Sequence, residues 1–559
     1  MTDELGARPA PADPDPELAR PTGAVGDSVV VASWTLVSRI TGFVRVAVTA
    51  AVLGPTFLGN TYQATNMLPN IIYYGLLAGS LVSSLLVPAL VGHIDARDRA
   101  ACERLAGGTL GLALLGVLVV VPVALLVAPW LLELGTLGSP AATVAAQQGA
   151  LARWFLVMVL PQVALYAVVA CSLAVMNAHR RFALGAAAPA VENLGCIAVL
   201  LACAVLFPTT ASLDIPVGEL LLLGVGSTAA VALHAATQWF GASRCGVSMR
   251  PRAGWRDQEV RALGRRSVPA LAQASLDALQ LVAVLVVVNR VAGGVVGYQL
   301  AANFFFLVIA LGATPVALSL LPRLARLHHA GAPVVFRDTA VRGLRFAVFI
   351  SVPAAVVLAV LSPVFAAASS YGRMAQDGGE VLVATALVVL APGVVGQTVY
   401  LVATYSCYSR DDTRSPLRSM VLKTVVCLAG LGAAVSFDGP AVVAVAGLGV
   451  SVAAVASAVH CVRILDRGLP ASGERLLPTL VRALAGAVVM AVPLGVAARL
   501  LAHTHGHVAA LGGAVGACVV GGACYLGVER LLRAPETTWL VGGVLRRGNP
   551  ALGSEGGVS

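Results

Sequence analysis

Two arginines, Arg39 and Arg45, stand inside the first long apolar run of the chain, "SRITGFVRVAVTAAVLG" (Ser38–Gly54). An arginine at mid-membrane depth costs about 2.5–3.5 kcal/mol on insertion scales, so its presence there asks for a task. A guanidinium stays protonated, and its planar fork donates two charge-assisted hydrogen bonds to a phosphate or carboxylate. Arg39, about eleven residues into the run and so roughly 16 Å deep, suits a phosphate of a ligand or a buried acid such as Glu192 or Asp277. Arg45 lies about 120° further round the helix, where a cavity role competes with snorkelling to the interface. Asp277 ("ASLDALQ") and Glu192 ("PAVENLG") are intramembrane acids. Such groups are candidates for coupling a cation, Na+ or H+, or static partners for an arginine. Pro189 and Asn193 beside Glu192 suggest a locally broken helix. Lys423, at the start of a later apolar run, reads as a snorkelling anchor.

Other chemistries find little support. His503, His505 and His507 alternate in "HTHGH" and read as a solvated loop, with no metal site expected. Glycine clusters such as "GVGS" lie inside apolar runs and lack the Gly-Lys-Ser/Thr ending of a phosphate-binding loop. No nucleophile–base constellation stands out, so the expectation is a transporter, not an enzyme, and one not driven by a nucleotide bound to this chain.

The elements that must position these residues follow from composition. The 559 residues are 58% hydrophobic and only 11% charged, which excludes an ordinary soluble domain. The net charge of +10 resides in short loops between apolar runs, so it does not signal nucleic-acid binding. The ten cysteines are scattered singly and read as small buried hydrophobes. A spanning helix needs about 20 apolar residues. That ruler gives candidates at 28–53, 62–92, 105–132, 152–176, 183–207, 217–240, 267–292, 296–322, 344–368, 381–407, 416–436, 440–462, 476–500 and 508–530. Arginines crowd every second loop: Arg97, Arg99 and Arg104, then Arg180 and Arg181, then Arg244 to Arg266, and so on to Arg475. The intervening loops are nearly bare, with Arg290, Arg373 and Arg499 as exceptions. The positive-inside rule then places the even loops and both termini in the cytoplasm.

The halves repeat. "SSLLVPAL" around Pro88 corresponds to "SLLPRLAR" around Pro322, and "MNAHRRF" (Met176–Phe182) to "CYSRDDTRSP" (Cys407–Pro416). The expected architecture is an all-α polytopic membrane protein of about fourteen spans, in two parallel six-helix lobes plus two C-terminal helices. The divisions are a disordered acidic tail (1–27), an N-lobe (28–240), a basic cytoplasmic linker (241–266), a C-lobe (267–465), the last two spans (476–533) and a cytoplasmic tail (534–559).

The motifs "SRITGFVR", "LPN" (Leu68–Asn70), "MNAHRRFALGAAAPAVEN", "LLPRLAR" and "YSRDDTRSP" occur in the order seen in the MurJ/MviN lipid II flippases. The chain resembles that family, within the multidrug/oligosaccharidyl-lipid/polysaccharide exporter superfamily, from the first span through the twelfth. The resemblance implies a bacterial inner-membrane flippase that moves an undecaprenyl-diphosphate-linked peptidoglycan precursor to the outer leaflet by alternating access. It also implies a tail groove at the last two spans, partners among membrane lipids and other envelope-synthesis proteins, and no nucleic acid. By the same resemblance Arg39, Arg45, Asn70, Tyr73 and Asn303 are the candidate substrate-binding residues. The chain departs from the family pattern where Asn60 replaces an acid, Tyr73 and Asn303 replace arginines, and Ala78 replaces an acid. Other readings are a flippase for a different polyprenyl-linked glycan, a cation-coupled exporter of small molecules, or a transport-inactive scaffold.

Overall fold

The computed structural model describes residues 21–537, apart from 77–78, 137–141, 208–212, 471–472 and 502–506. The first half runs α1 (Pro21–Leu53), α2 (Phe57–Ile71), a π turn (Ile72–Leu76), α3 (Gly79–Asp95), α4 (Arg99–Thr136), α5 (Ala142–Val159), α6 (Gln162–Ala178), α7 (Phe182–Leu206) and α8 (Val217–Ser243). Helix α1 thus begins within the stretch read as a tail, of which 1–20 lie outside the described residues. The break expected near Glu192 does not occur: α7 is continuous through Pro189. Apolar helices tolerate an interior proline where neighbouring helices close over it.

The second half runs α9 (Gln258–Val288), α10 (Gly294–Val308), a second π turn (Ile309–Ala313), α11 (Thr314–His329), α12 (Pro333–Val360), the short α13 (Ser362–Ser369) and α14 (Arg373–Gln376), α15 (Gly379–Tyr408), α16 (Arg414–Ala434) and α17 (Pro440–Arg467). Helices α18 (Leu477–Leu501) and α19 (His507–Leu531) follow. Local signals explain several starts. Asp257 accepts from the Glu259 N–H (2.9 Å) and caps α9, while Asp412 of the "SRDDTRSP" loop accepts from Arg414 and Ser415 N–H groups (3.1 and 3.0 Å) and caps α16.

Among the described residues thirteen stretches are long and apolar enough to cross a membrane. The remaining expected span is the α2–π turn–α3 segment, so the count is close to fourteen. Side chains such as Leu118, Leu126, Val205 and Val488 are 70–77% exposed, which suits a lipid-facing surface.

The internal repeat is visible in three independent features. Among the described residues each lobe has one π turn, at Ile72–Leu76 and at Ile309–Ala313. Left-handed turn residues recur at matching places: Gly54 with Gly293, Arg97 with Gly331, and Arg180 with Asp411. Helix pairing recurs as well, since α1 packs on α7 as α9 packs on α16, and α6 packs on α8 as α15 packs on α17.

The lobes meet where those helices face each other. Phe43 of α1 is edge-on to Phe304 of α10 at 5.0 Å. The Ser275 hydroxyl of α9 donates to the Gly75 carbonyl inside the first π turn (2.9 Å). A Cβ at Gly75 would lie 2.3 Å from that of Ala278, so only glycine allows this approach.

Helices α18 and α19 are fastened to the C-lobe by a buried ionic knot. Arg345 of α12 pairs with Glu474 and donates to Glu536 (2.8 Å), which also accepts from Thr479 (2.8 Å) and Arg482 (3.4 Å). Burial of Glu536 works to raise its pKa, but its own N–H, Thr479 and Arg345 outweigh this and hold the carboxyl below the usual glutamate range. A depressed folded pKa means stability that is complete above the unfolded value and lost as pH falls through the folded one. The thermal midpoint of the detergent-solubilised protein is therefore expected to drop as pH falls below about 4.3. Glu536→Gln should flatten that slope while costing about 1–3 kcal/mol at neutral pH; an unchanged slope would remove Glu536 as its source.

Candidate functional site

The arginine-bearing face of α1 is organised by α7. Arg45 Nη1 donates to Glu192 Oε1 at 3.2 Å, so Arg45 is held by an acid and does not snorkel to the interface. Glu192 also accepts from the Tyr166 hydroxyl of α6 (3.1 Å), and its second oxygen meets His234 Nδ1 of α8 (2.8 Å). One carboxylate thus gathers three partners from three helices, which a single acid inside a bilayer needs in order to stay charged. The guanidinium is the more open member, with side-chain exposure of 28% against 12% for Glu192.

Asn193, next along α7, donates to the Ser38 carbonyl (3.3 Å) and the Thr41 hydroxyl (3.2 Å), fixing α1 on both sides of Arg39. Arg39 itself is exposed and takes neither of the acids expected for it. It stands one turn before Phe43, on the side of α1 that approaches α10 of the other lobe.

The C-lobe holds the second acid. Lys423 Nζ of α16 lies 3.4 Å from Asp277 Oδ1 of α9 and 5.9 Å from the Tyr400 ring of α15. The reading of Lys423 as a snorkelling anchor is therefore corrected: its side chain is 8% exposed, whereas that of Asp277 is 54% exposed. α16 starts at Arg414, nine residues earlier, which puts Lys423 about 14 Å along the helix and out of reach of its end. Gln273 and Gln280 flank Asp277 on the same helix and bond to Tyr408 and to Thr424 (2.9 Å) respectively.

The remaining candidates are dispersed. Tyr73 is fully buried, its ring stacked on Tyr166 at 6.4 Å, so it supports the cluster from behind and does not line an open surface. Asn303 is half-buried and donates to the Gln299 carbonyl of its own helix (2.8 Å). Asn70 is exposed near the end of α2. Ala78, His503 and His505 lie outside the described residues, as does the side chain of His507. Sequence reading missed His234 and Tyr166; a lone histidine in an otherwise apolar helix was the available signal.

At the arginine-poor end Asn60 is fully buried and bridges the lobes. Its Nδ2 donates to the Val291 carbonyl (2.7 Å) and its Oδ1 accepts from the Val295 N–H (3.0 Å). A carboxylate could make only the second bond; the amide makes both. Gln148 adds a bond to Asn289 (2.9 Å). Two of the arginines that break the loop pattern are also accounted for at this end. Arg290 donates to the Val435 carbonyl (2.6 Å), and Arg373 sits 3.9 Å from Asp377.

Comparison with known proteins bears on the family and the fold. The family model described as lipid II flippase MurJ matches residues 49–511. A Vibrio cholerae protein described as "Probable lipid II flippase MurJ" is 27% identical over 413 residues, covering 71% of this chain and 75% of that protein. A Haemophilus influenzae protein of the same description is 26% identical over 420 residues, covering 70% and 77%. Among solved structures, a lipid II flippase MurJ in an inward closed conformation superposes with a TM-score of 0.69 at 16% identity, covering 90% of this chain and 98% of that one. An inward-facing multidrug resistance MATE family transporter gives 0.60 at 13%, covering 82% and 98%. The two structural likenesses establish a shared fold.

Proposed function

The chain belongs to the lipid II flippase MurJ family, and from that premise we propose that it carries an undecaprenyl-diphosphate-linked peptidoglycan precursor from the cytoplasmic to the outer leaflet of the bacterial inner membrane by alternating access. The observation that carries this reading is the pair Arg39 and Arg45 on α1, a helix at the junction of the two lobes. A diphosphate needs permanent cations with a forked donor geometry, which arginine supplies. The arginine-rich loops and both termini would face the cytoplasm. Transport would draw on an ion gradient or the membrane potential, with Asp277 and Glu192 as the groups able to sense a cation.

Arg39 is exposed and outside both ion pairs, so its removal should spare insertion and folding. Arg39→Ala is expected to abolish complementation of a flippase-depleted strain and to cut lipid II flipping in proteoliposomes at least tenfold. Arg39→Lys should recover part of the rate, because charge returns without the bidentate fork. Full complementation by Arg39→Ala would overturn the role. The same liposome assay with other undecaprenyl-linked glycans separates a lipid II flippase from one serving a different glycan, a reading favoured by Tyr73 and Asn303 standing where the family carries arginines.

A further inference from the structure

The two lobes carry the same polar cluster with the sign of its charge reversed. Arg45 on α1 corresponds to Asp277 on α9, and Glu192 on α7 to Lys423 on α16. Tyr166 on α6, beside Glu192, corresponds to Tyr400 on α15, beside Lys423. His234 on α8 corresponds to His460 on α17, which bonds to Ser419 one turn from Lys423 (2.9 Å). Glu192 and Lys423 keep the 231-residue offset of Arg180 and Asp411, and Tyr166 and Tyr400 stand 234 apart, whereas Arg45 and Asp277 fall seven residues short of the Gly54–Gly293 register and match in role, not in position.

In each cluster the charge on the lobe's first helix is the open one, and its counter-charge on the fifth is shielded behind it. Asp277 points away from lipid: Leu279 and Val268, both exposed apolar residues of α9, lie about 160–180° round the helix from it. Ala278, about 100° round the helix to one side, meets Gly75 of the N-lobe, and Gln273 and Gln280, about 40–60° round to the other, bond to the C-lobe, so Asp277 opens between them. The N-lobe therefore presents guanidinium, and the C-lobe presents carboxylate.

We propose that the site between the lobes is dipolar and selects a ligand bearing a primary ammonium group as well as its phosphates. The phosphates meet Arg39 and Arg45, the ammonium meets Asp277, and Lys423 is the internal ammonium that occupies the carboxylate between ligands. This rests on the reading of the chain as a flippase for a lipid-linked diphosphate. The bound ammonium adds one positive charge beside the tethered Lys423, a cost lowered because the Asp277 carboxylate is 54% exposed and still solvated. The displaced Lys423 keeps the Tyr400 ring as a cation–π partner. A metal cation would need several oxygen ligands at once, whereas the single carboxylate already accepts an ammonium.

The test uses the full-length protein in nanodiscs and two synthetic undecaprenyl-diphosphate glycopeptides, identical except that the peptide amine is free in one and N-acetylated in the other. The free amine is expected to bind about tenfold more tightly. Asp277→Asn should bring the two affinities together. The double variant Asp277→Asn/Lys423→Met should do the same without stranding a buried ammonium. Equal binding of both ligands to the unaltered protein, or a preference that survives Asp277→Asn, overturns the dipolar site and leaves the flippase reading standing. A preference erased by sodium but not by choline at equal ionic strength assigns the carboxylate to a metal cation and overturns the proposal too. Failure of both ligands to bind overturns the flippase reading, and this proposal with it.

Discussion

Replacing Glu192 with alanine is expected to destabilise the protein by about 3 kcal/mol, the low end of the range for breaking a buried ion pair. The substitution removes the acceptor shared by Arg45, Tyr166 and His234, and leaves a guanidinium in the membrane interior without its counter-charge. The low end applies because the Arg45 side chain is 28% exposed, so water can recover part of the loss. The thermal midpoint in detergent and the yield of monodisperse protein both report the effect. Removing both charges, as in Arg45→Met/Glu192→Leu, should restore much of the stability while flipping stays lost, since the fold no longer holds a stranded charge but the phosphate loses a cation. A Glu192→Ala protein that melts with the wild type would show that the cluster does not hold α1 to α7.

The second large effect concerns which side of the protein is open. Asn60→Ala removes both amide bonds that join α2 to the α9–α10 turn, leaving the buried N–H of Val295 unpaired, while the Val291 carbonyl keeps its bond from the Gly294 N–H (2.8 Å). The unpaired N–H costs about 1–3 kcal/mol, and the cost falls only on the state in which the arginine-poor ends are closed. A loss of about 2–3 kcal/mol shifts the balance toward the parted state by roughly 30- to 150-fold. Spin labels on either side of this contact should report a longer distance in Asn60→Ala than in the wild type. Asn60→Asp should also part the ends, because a carboxylate cannot donate to the Val291 carbonyl. Unchanged distances in both variants would leave closure to the Gln148–Asn289 bond and the surrounding apolar contacts.

Much of this molecule is legible in the chain. Span positions and the repeat follow from apolar run length, loop composition and the recurrence of proline and turn motifs, all of which act over tens of residues. The repeat proved stronger in the structure than in the sequence. Arg97 and Gly331 share no side-chain chemistry, yet both adopt the left-handed turn after the second helix of their lobe. The α2–π turn–α3 span was harder to delimit, because the turn changes hydrogen-bond spacing without a distinctive residue pattern.

The sequence by itself determined that two arginines and two acids sit inside membrane helices, while it placed Lys423 at a helix start, where the structure does not put it. It could not determine their pairing. Glu192 and Asp277 were both possible partners for Arg39; the structure gives Glu192 to Arg45, 147 residues away, and Asp277 to Lys423, 146 residues away. The reason is geometric. Each helix turns about 100° per residue, so a partner depends on the rotation and tilt with which two helices pack. Those are set by small-residue contacts and lobe closure across the whole bundle, and no local stretch of sequence contains them.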